Sequence, residues 1–592
     1  MGKFNFSIMA AIGMLVIGLF GLSDQPFAGS DQISLTNSAE ADVQPMTPAN
    51  WEASSYVGVH PRKGSLGIGL ARIKDWSAEL PFIDLMKQSR TWKDWDNGIE
   101  GFDLDDNGWV RSLKPGQTAG TVFLVSKSQE HTVYDRVIVT YQGRGTIEYG
   151  GRAKKNDALS RYGRDVIDVG RSNHLLKITK TDPNDPIRNI KILIAEHEKL
   201  AKAGEIFNPD WLNKFSDLYA FRFMDWMNIS WSNPGDWDNR PEVEHRTWAT
   251  DGVPLETMIA LANKTNIVPW FNMPDMADEN YITEFAKLLR TTLNPHLPIY
   301  IEHSNELWNW GYGQAHRARD QAKEKWGLGR DGWMQWHGMR TATMCDIFKK
   351  KVFSDSTDRI KCVLGVQTAW HGLESSALDC PEWVKLGNEP CYTHGIDYLG
   401  LTSYFNGGLN GPRRDGDRNH KNQILAMASL GKKGIDQAFD QLEAGNILRG
   451  VEKFKDYKGV VHELQQQLEY WRKTSQKYNM GLVAYEGGQH ISANALALQE
   501  NETVTNFHIA INRDPRMQKI YQDVLRSWKK EGGELHVLFD DVRGPSKWGA
   551  WGALESLNQL SSPKYDAIMG FNTTVACWWK DCTIANRHIR PL

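Results

Sequence analysis

The sequence has no concentrated charge. Its 592 residues hold 69 lysines and arginines against 72 aspartates and glutamates, a net charge of −3 with no long run of either sign. A general nucleic-acid binder needs a concentrated basic field, so nucleic acid is excluded as a partner. The signatures of several chemistries are missing as well. There is no G-x-S-x-G elbow, no P-loop and no dinucleotide fingerprint, and Glu196-His197-Glu198 lacks the HExxH spacing of a zinc protease. No Cys-x-x-Cys pair exists, which argues against a thiolate zinc site. The stretch Asp103–Gly108 opens like a calcium loop, but Lys114 stands where the closing glutamate belongs, so it reads as an Asp/Asn/Gly turn. No metal and no cofactor is therefore expected.

Cysteine is scarce but even, at 345, 362, 380, 391, 577 and 582. Cys380/Cys391 and Cys577/Cys582 resemble short disulfide-closed loops, with Cys345/Cys362 as a candidate third bridge, and the sequence leaves the connectivity open. The chain opens with Lys3, an apolar run from Ile8 to Leu22 and small residues at Ala28-Gly29-Ser30. Residues 1–28 read as an export signal or, if uncleaved, as an N-terminal anchor, and such an anchor is the one membrane contact expected. Paired cysteines in an exported chain point to the periplasm or the exterior. Residues 29–50 are polar, unpatterned and Pro-containing, which fits a linker.

Tryptophan is abundant, at 24 residues. Either the core is large, or some of these flat rings serve as stacking platforms for flat ligands such as sugars. Between 97 and 200, short runs such as Thr121–Val125, Val137–Tyr141 and His174–Ile178 alternate with Gly, Asn and Asp turns, the texture of a β-sandwich. Elsewhere strand and helix patterns alternate. Apolar runs begin at Leu66, Leu218, Ile267, Ile299, Cys362, Ile396, Gly481 and Leu535, with helical candidates such as Pro254–Lys264, Trp333–Lys350, Val460–Lys477 and Arg516–Glu531 between them. Eight βα units make an α/β fold, a (β/α)8 TIM barrel over 51–96 and 201–592, with 97–200 inserted between strands one and two as a β-sandwich-like domain expected to have its own core.

Barrel active sites are built from the residues that finish each strand. Strand two finishes at Arg222, strand three at Asn272, strand four at Asn305-Glu306 and strand seven at Glu486-Gly487-Gly488. Two carboxylates thus crown strands four and seven, and glycoside hydrolysis needs such a pair. The Asn-Glu dipeptide on strand four and the glutamate on strand seven resemble the clan A retaining glycoside hydrolases. The resemblance implies that Glu306 is the acid/base, Glu486 the nucleophile and Asn305 a contact for the sugar 2-OH. It also implies that Arg222 lies near the nucleophile, that Tyr404 is its strand-six neighbour and that Trp548 is a sugar platform. Asn272, Trp310 and Trp370 complete the expected substrate-binding set. For the tryptophans the rival role is core packing, and for Arg222 it is an ion pair with Asp225 or Asp275.

The expected function is a secreted or periplasmic retaining glycoside hydrolase acting within a β-linked polysaccharide by double displacement. The alternative is a non-catalytic carbohydrate-binding protein on a degenerate barrel. Polysaccharide is the expected partner in both.

Overall fold

The computed structural model describes residues 64–126, 134–230, 234–413 and 417–582. Residues 1–28, expected to be an export signal or anchor, residues 29–50, expected to be a linker, and residues 51–63 lie outside them. Eight parallel strands close a barrel in chain order: β1 (Leu66–Gly69), β2 (Ala220–Arg222), β3 (Val268–Met273), β4 (Ile299–His303), β5 (Ile360–Gly365), β6 (Tyr398–Phe405), β7 (Gly481–Gln489) and β8 (His536–Leu538). β1 pairs with both β2 and β8, which completes the circle. Strands covered on both faces read as continuous apolar runs, and this is why each of them could be found in the sequence. The fold is a (β/α)8 TIM barrel.

Helices cover the outside. Leu255–Thr265, Val460–Tyr478 and Arg516–Lys530 lie within a residue or two of their apolar periodicity. The candidate at 333–350 is helical to Asp346 and then widens into a π turn over Ile347–Val352. Between β6 and β7, helices Arg418–Ser429 and Lys432–Ala444 also form, which the pattern had not marked. The barrel interior is filled by aromatic layers. Trp270 stacks on Tyr300 at 5.2 Å and Tyr300 on Tyr398 at 5.8 Å. Trp579, inside the loop closed by Cys577–Cys582, meets Tyr219 at 5.5 Å. The other disulfides are Cys345–Cys362, which ties a helix to β5, and Cys380–Cys391.

Between β1 and β2 the chain forms three antiparallel sheets, none of them part of the barrel. One has the order Arg188–Ile194, Arg136–Gln142, Arg164–Asp168, Lys154–Lys155, another Ala119–Ser126, Ser172–Thr181, Gly145–Gly151, and the smallest pairs Asp103–Leu104 with Val110–Ser112. These sheets bury apolar residues in two clusters, and Ile138, Val166 and Leu193 form a small one with Ile83. Phe123, Val139 and Ile178 belong to the same buried apolar cluster as Leu85, Phe207 and Trp211. The reason is the chain leaving β1, which packs beneath the sheets and is pinned there, Asp84 accepting a hydrogen bond from the Ile192 amide at 2.9 Å.

Candidate active site

β4 runs regularly only to His303. Ser304 and Glu306 then take left-handed conformations, with φ of 64° and 43°. Non-glycine residues held there cost about 1–3 kcal/mol each, so surrounding bonds must impose them. Asn272 Nδ2 donates to the Ser304 carbonyl at 2.8 Å, and Gln314 Nε2 donates to the Asn305 carbonyl at 2.9 Å.

β7 carries a bulge. Leu401 pairs with Ala484 but Thr402 pairs with Glu486, so Tyr485 is an extra residue. In a regular strand neighbours point to opposite faces, and a bulge re-aims them. Here the consecutive residues Tyr485 and Glu486 both reach Arg222, the ring 5.0 Å from the guanidinium carbon and the carboxylate 2.7 Å from Nη1.

Arg222, at the end of β2 and 1 % exposed, is the hub. Its Nη1 donates to Glu486 Oε1. Its Nε and Nη2 donate to Glu302 Oε2 at 3.1 and 2.9 Å, and Nη2 also reaches Asn305 Oδ1 at 2.8 Å. Tyr404 donates its hydroxyl to the other nucleophile-candidate oxygen, Glu486 Oε2, at 2.9 Å. The rival pairing for Arg222 does not occur, because Asp275 is held by Arg317 and Asp225 by Arg543.

The two glutamates have different surroundings. Burial raises Glu486 above the usual carboxylate range, while Arg222 and the Tyr404 hydroxyl pull it back. Glu306 meets no cation within ion-pair distance among the described residues; its donor is Asn309 Nδ2 at 2.8 Å. Burial, reinforced by the charge of Glu486, pushes Glu306 up to about 8. The Tyr404 phenol is held far above its ordinary value by burial and by both glutamates, so it remains a neutral donor. Two carboxyls pushed to different degrees divide naturally into an acid and an anion.

The structure therefore brings together Glu306, Glu486, Asn305, Arg222 and Tyr404, with Asn272 shaping the turn. Among the described residues, the ring contacts of Trp310, Trp370 and Trp548 are with groups other than these five. Trp310 packs on Trp333 at 5.1 Å with Arg330 over its ring, and Trp370 meets Trp333 at 6.0 Å. Trp548 is half-buried beneath the Lys547 ammonium. Trp551, which the sequence reading had not singled out, has its ring 6.1 Å from Tyr404 and 4.6 Å from His490. Sequence reasoning also missed Asn309, Tyr312, whose phenol feels the charges of both glutamates, and the role of Glu302.

A second group of buried acids lies at the end of β8. Asp541 accepts from the Ala71 amide and from Trp211 Nε1, and burial with the Asp540 charge raises it to about 7. Glu79, wholly buried beside it, has no hydrogen-bond partner on either carboxyl oxygen among the described residues.

No protein-family model and no curated protein matches this chain. Solved structures do show similarity. Fungal beta-1,4-galactanases match with a TM-score of 0.30 at 12% identity, covering 60% of this chain and 90% of theirs. A glycoside hydrolase family 5 mannosidase from Rhizomucor miehei matches with a TM-score of 0.26 at 10% identity, over 63% and 85% of the two chains. A family 5 xyloglucanase from Bacteroides ovatus matches with a TM-score of 0.25 at 11% identity, over 77% and 96%. Likeness this distant transfers neither substrate nor residue roles.

Proposed function

We propose that this chain is a retaining glycoside hydrolase that cleaves a β-linked polysaccharide, with Glu486 as nucleophile and Glu306 as acid/base. The observation that carries this reading is the division of labour around one guanidinium: Glu486 is anchored at both oxygens by Arg222 and Tyr404, while Glu306 forms no ion pair among the described residues. An anchored carboxylate is held for attack, and a buried, unpaired one keeps its proton for the leaving group.

In the first step a Glu486 oxygen bonds to the anomeric carbon as the glycosidic C–O bond breaks, and Glu306 gives its proton to the departing oxygen. The ester removes the charge of Glu486, which lowers the proton affinity of Glu306. Glu306 then takes a proton from water, the hydroxyl bonds to the anomeric carbon, and Glu486 leaves as carboxylate. Asn305, tied to Arg222 through Oδ1, keeps its amide N–H groups for the sugar 2-OH. Three disulfides favour an oxidising compartment, periplasmic or extracellular.

The test is hydrolysis of a panel of β-glucans, xylan, mannan and bacterial exopolysaccharides, with the anomer of the first product read by NMR. A retained β-product lost in Glu486→Ala is the expected result. Inactivity on every glycan, or an inverted product from the wild-type protein, would refute the reading.

A further inference from the structure

Glu302 is a third carboxylate in the site, and double displacement by Glu306 and Glu486 leaves it without a part. It is 1 % exposed and points into the barrel. Two Arg222 nitrogens and Trp270 Nε1, at 2.9 Å, donate to its Oε2. Across β5, a Cβ on Gly365 would come within 3.2 Å of its Oε1, so this glycine makes room for the carboxylate. The charged and titratable groups around it are Arg222 from β2, Tyr485 and Glu486 from β7, and Glu306 beyond β4. His337, whose Nε2 meets the Gly365 carbonyl at 3.1 Å, is held neutral by burial, at about 4.

Arg222 is too buried for water to neutralise it. If Glu486 were its one counter-ion, forming the glycosyl ester would leave a buried cation unpaired, a strongly unfavourable state. The attack would then work against the ion pair that positions the nucleophile. We propose that Glu302 is a positioning residue and the permanent counter-ion of Arg222, holding it in place and neutralised while Glu486 gives up its charge to the anomeric carbon. This rests on the double-displacement reading. Glu302 occupies Nε and Nη2, so Nη1 faces Glu486 through the whole cycle. Its negative charge also opposes ionisation of both Glu486 and Glu306.

The experiment compares Glu302→Gln, which keeps the shape and removes the charge, with Glu302→Asp, which keeps the charge and shortens the reach. Carboxyl titrations are followed by 13C NMR on protein labelled at glutamate Cδ, with the Glu306 and Glu486 signals assigned by their loss in E306Q and E486Q. In E302Q both signals should titrate lower than in wild type, by roughly one pH unit, the scale of a like charge across one guanidinium. In E302D they should stay near the wild-type values. Unmoved titrations in E302Q, or equal movement in E302D, overturn the proposal.

Turnover gives a second arm. On aryl β-glycosides of the sugar found in the panel, the first step should slow at least about tenfold in both variants, through lost neutralisation in one and lost position in the other. A wild-type first-step rate in folded E302D overturns the proposal even if E302Q does not fold. Failure of the hydrolase reading is a separate result, absence of wild-type activity on every glycan, and it leaves the NMR arm decisive.

Discussion

Replacing Glu306 by glutamine removes a proton donor and nearly nothing else, since the amide keeps the volume and a contact to Asn309. Burial and the Glu486 charge raise the wild-type group to about 8, so near neutral pH it keeps the proton that the leaving group needs. The kcat/KM profile of the wild type, which reports the free enzyme, should fall on its alkaline side near that value. In Glu306→Gln that limb should vanish. For natural glycosides, whose leaving groups are strong bases, kcat/KM should drop by roughly 10²–10⁴, the usual worth of a general acid. For dinitrophenyl glycosides, whose leaving group departs without a proton, the first step should stay within about tenfold of wild type. In Glu306→Ala, azide should speed breakdown of the intermediate and give a β-glycosyl azide. The assay is a pH series on two aryl glycosides of different leaving-group acidity, with products followed by NMR. An alkaline limb that persists in the glutamine variant, or equal losses on both substrates, would refute the assignment.

Other expectations follow from the same geometry. Glu486→Ala should lose nearly all turnover on every substrate and recover part of it with azide as the inverted α-glycosyl azide; a β-azide from this variant would exchange the roles of the two glutamates. Tyr404→Phe removes a hydrogen bond that favours ionised Glu486, so the acidic limb of kcat/KM should move to higher pH by on the order of one unit, with little change above the new limb. An unmoved limb would show that the phenol does not act on Glu486. Glu79 and Asp541 bind protons more tightly folded than unfolded, burial being the main cause, so their contribution is complete below the unfolded value and is lost as pH rises through the folded one. The melting temperature should therefore decline from about pH 5 to about pH 8, and Glu79→Gln, neutral throughout, should make that decline shallower. A slope identical to wild type in a pH series of thermal melts would count against a buried protonated Glu79.

The eight barrel strands were legible because a strand packed on both faces must be apolar along its length, and length together with Gly and Asn punctuation separates such runs from helices. The three disulfides match the pairs that spacing suggested, although spacing had left the connectivity open. The two glutamates were legible because a parallel barrel turns the C-terminal parts of its strands to one face, and Asn305-Glu306 come just after β4 while Glu486 lies in the second half of β7. The helices between β6 and β7 escaped notice for the opposite reason: Arg418–Ser429 and Lys432–Ala444 are rich in charged and polar residues, and their apolar stripes are narrow. Aromatic residue type was a poor guide to the site. Trp310, Trp370, Trp548 and Trp551 look alike in sequence, and which of them stands beside Tyr404 depends on how the loop after β8 folds back. Periodicity could not reveal the β7 bulge either, since one extra residue in a strand changes no residue type. Yet that bulge is what turns Tyr485 and Glu486 toward the same guanidinium. The link between Arg222 and Glu302, Glu486 and Asn305 joins residues 80, 264 and 83 positions apart. Sequence alone determined the barrel and the carboxylates that crown it; closure of the barrel decided which charges share one buried cation, because that sharing depends on distances across the ring that no local pattern encodes.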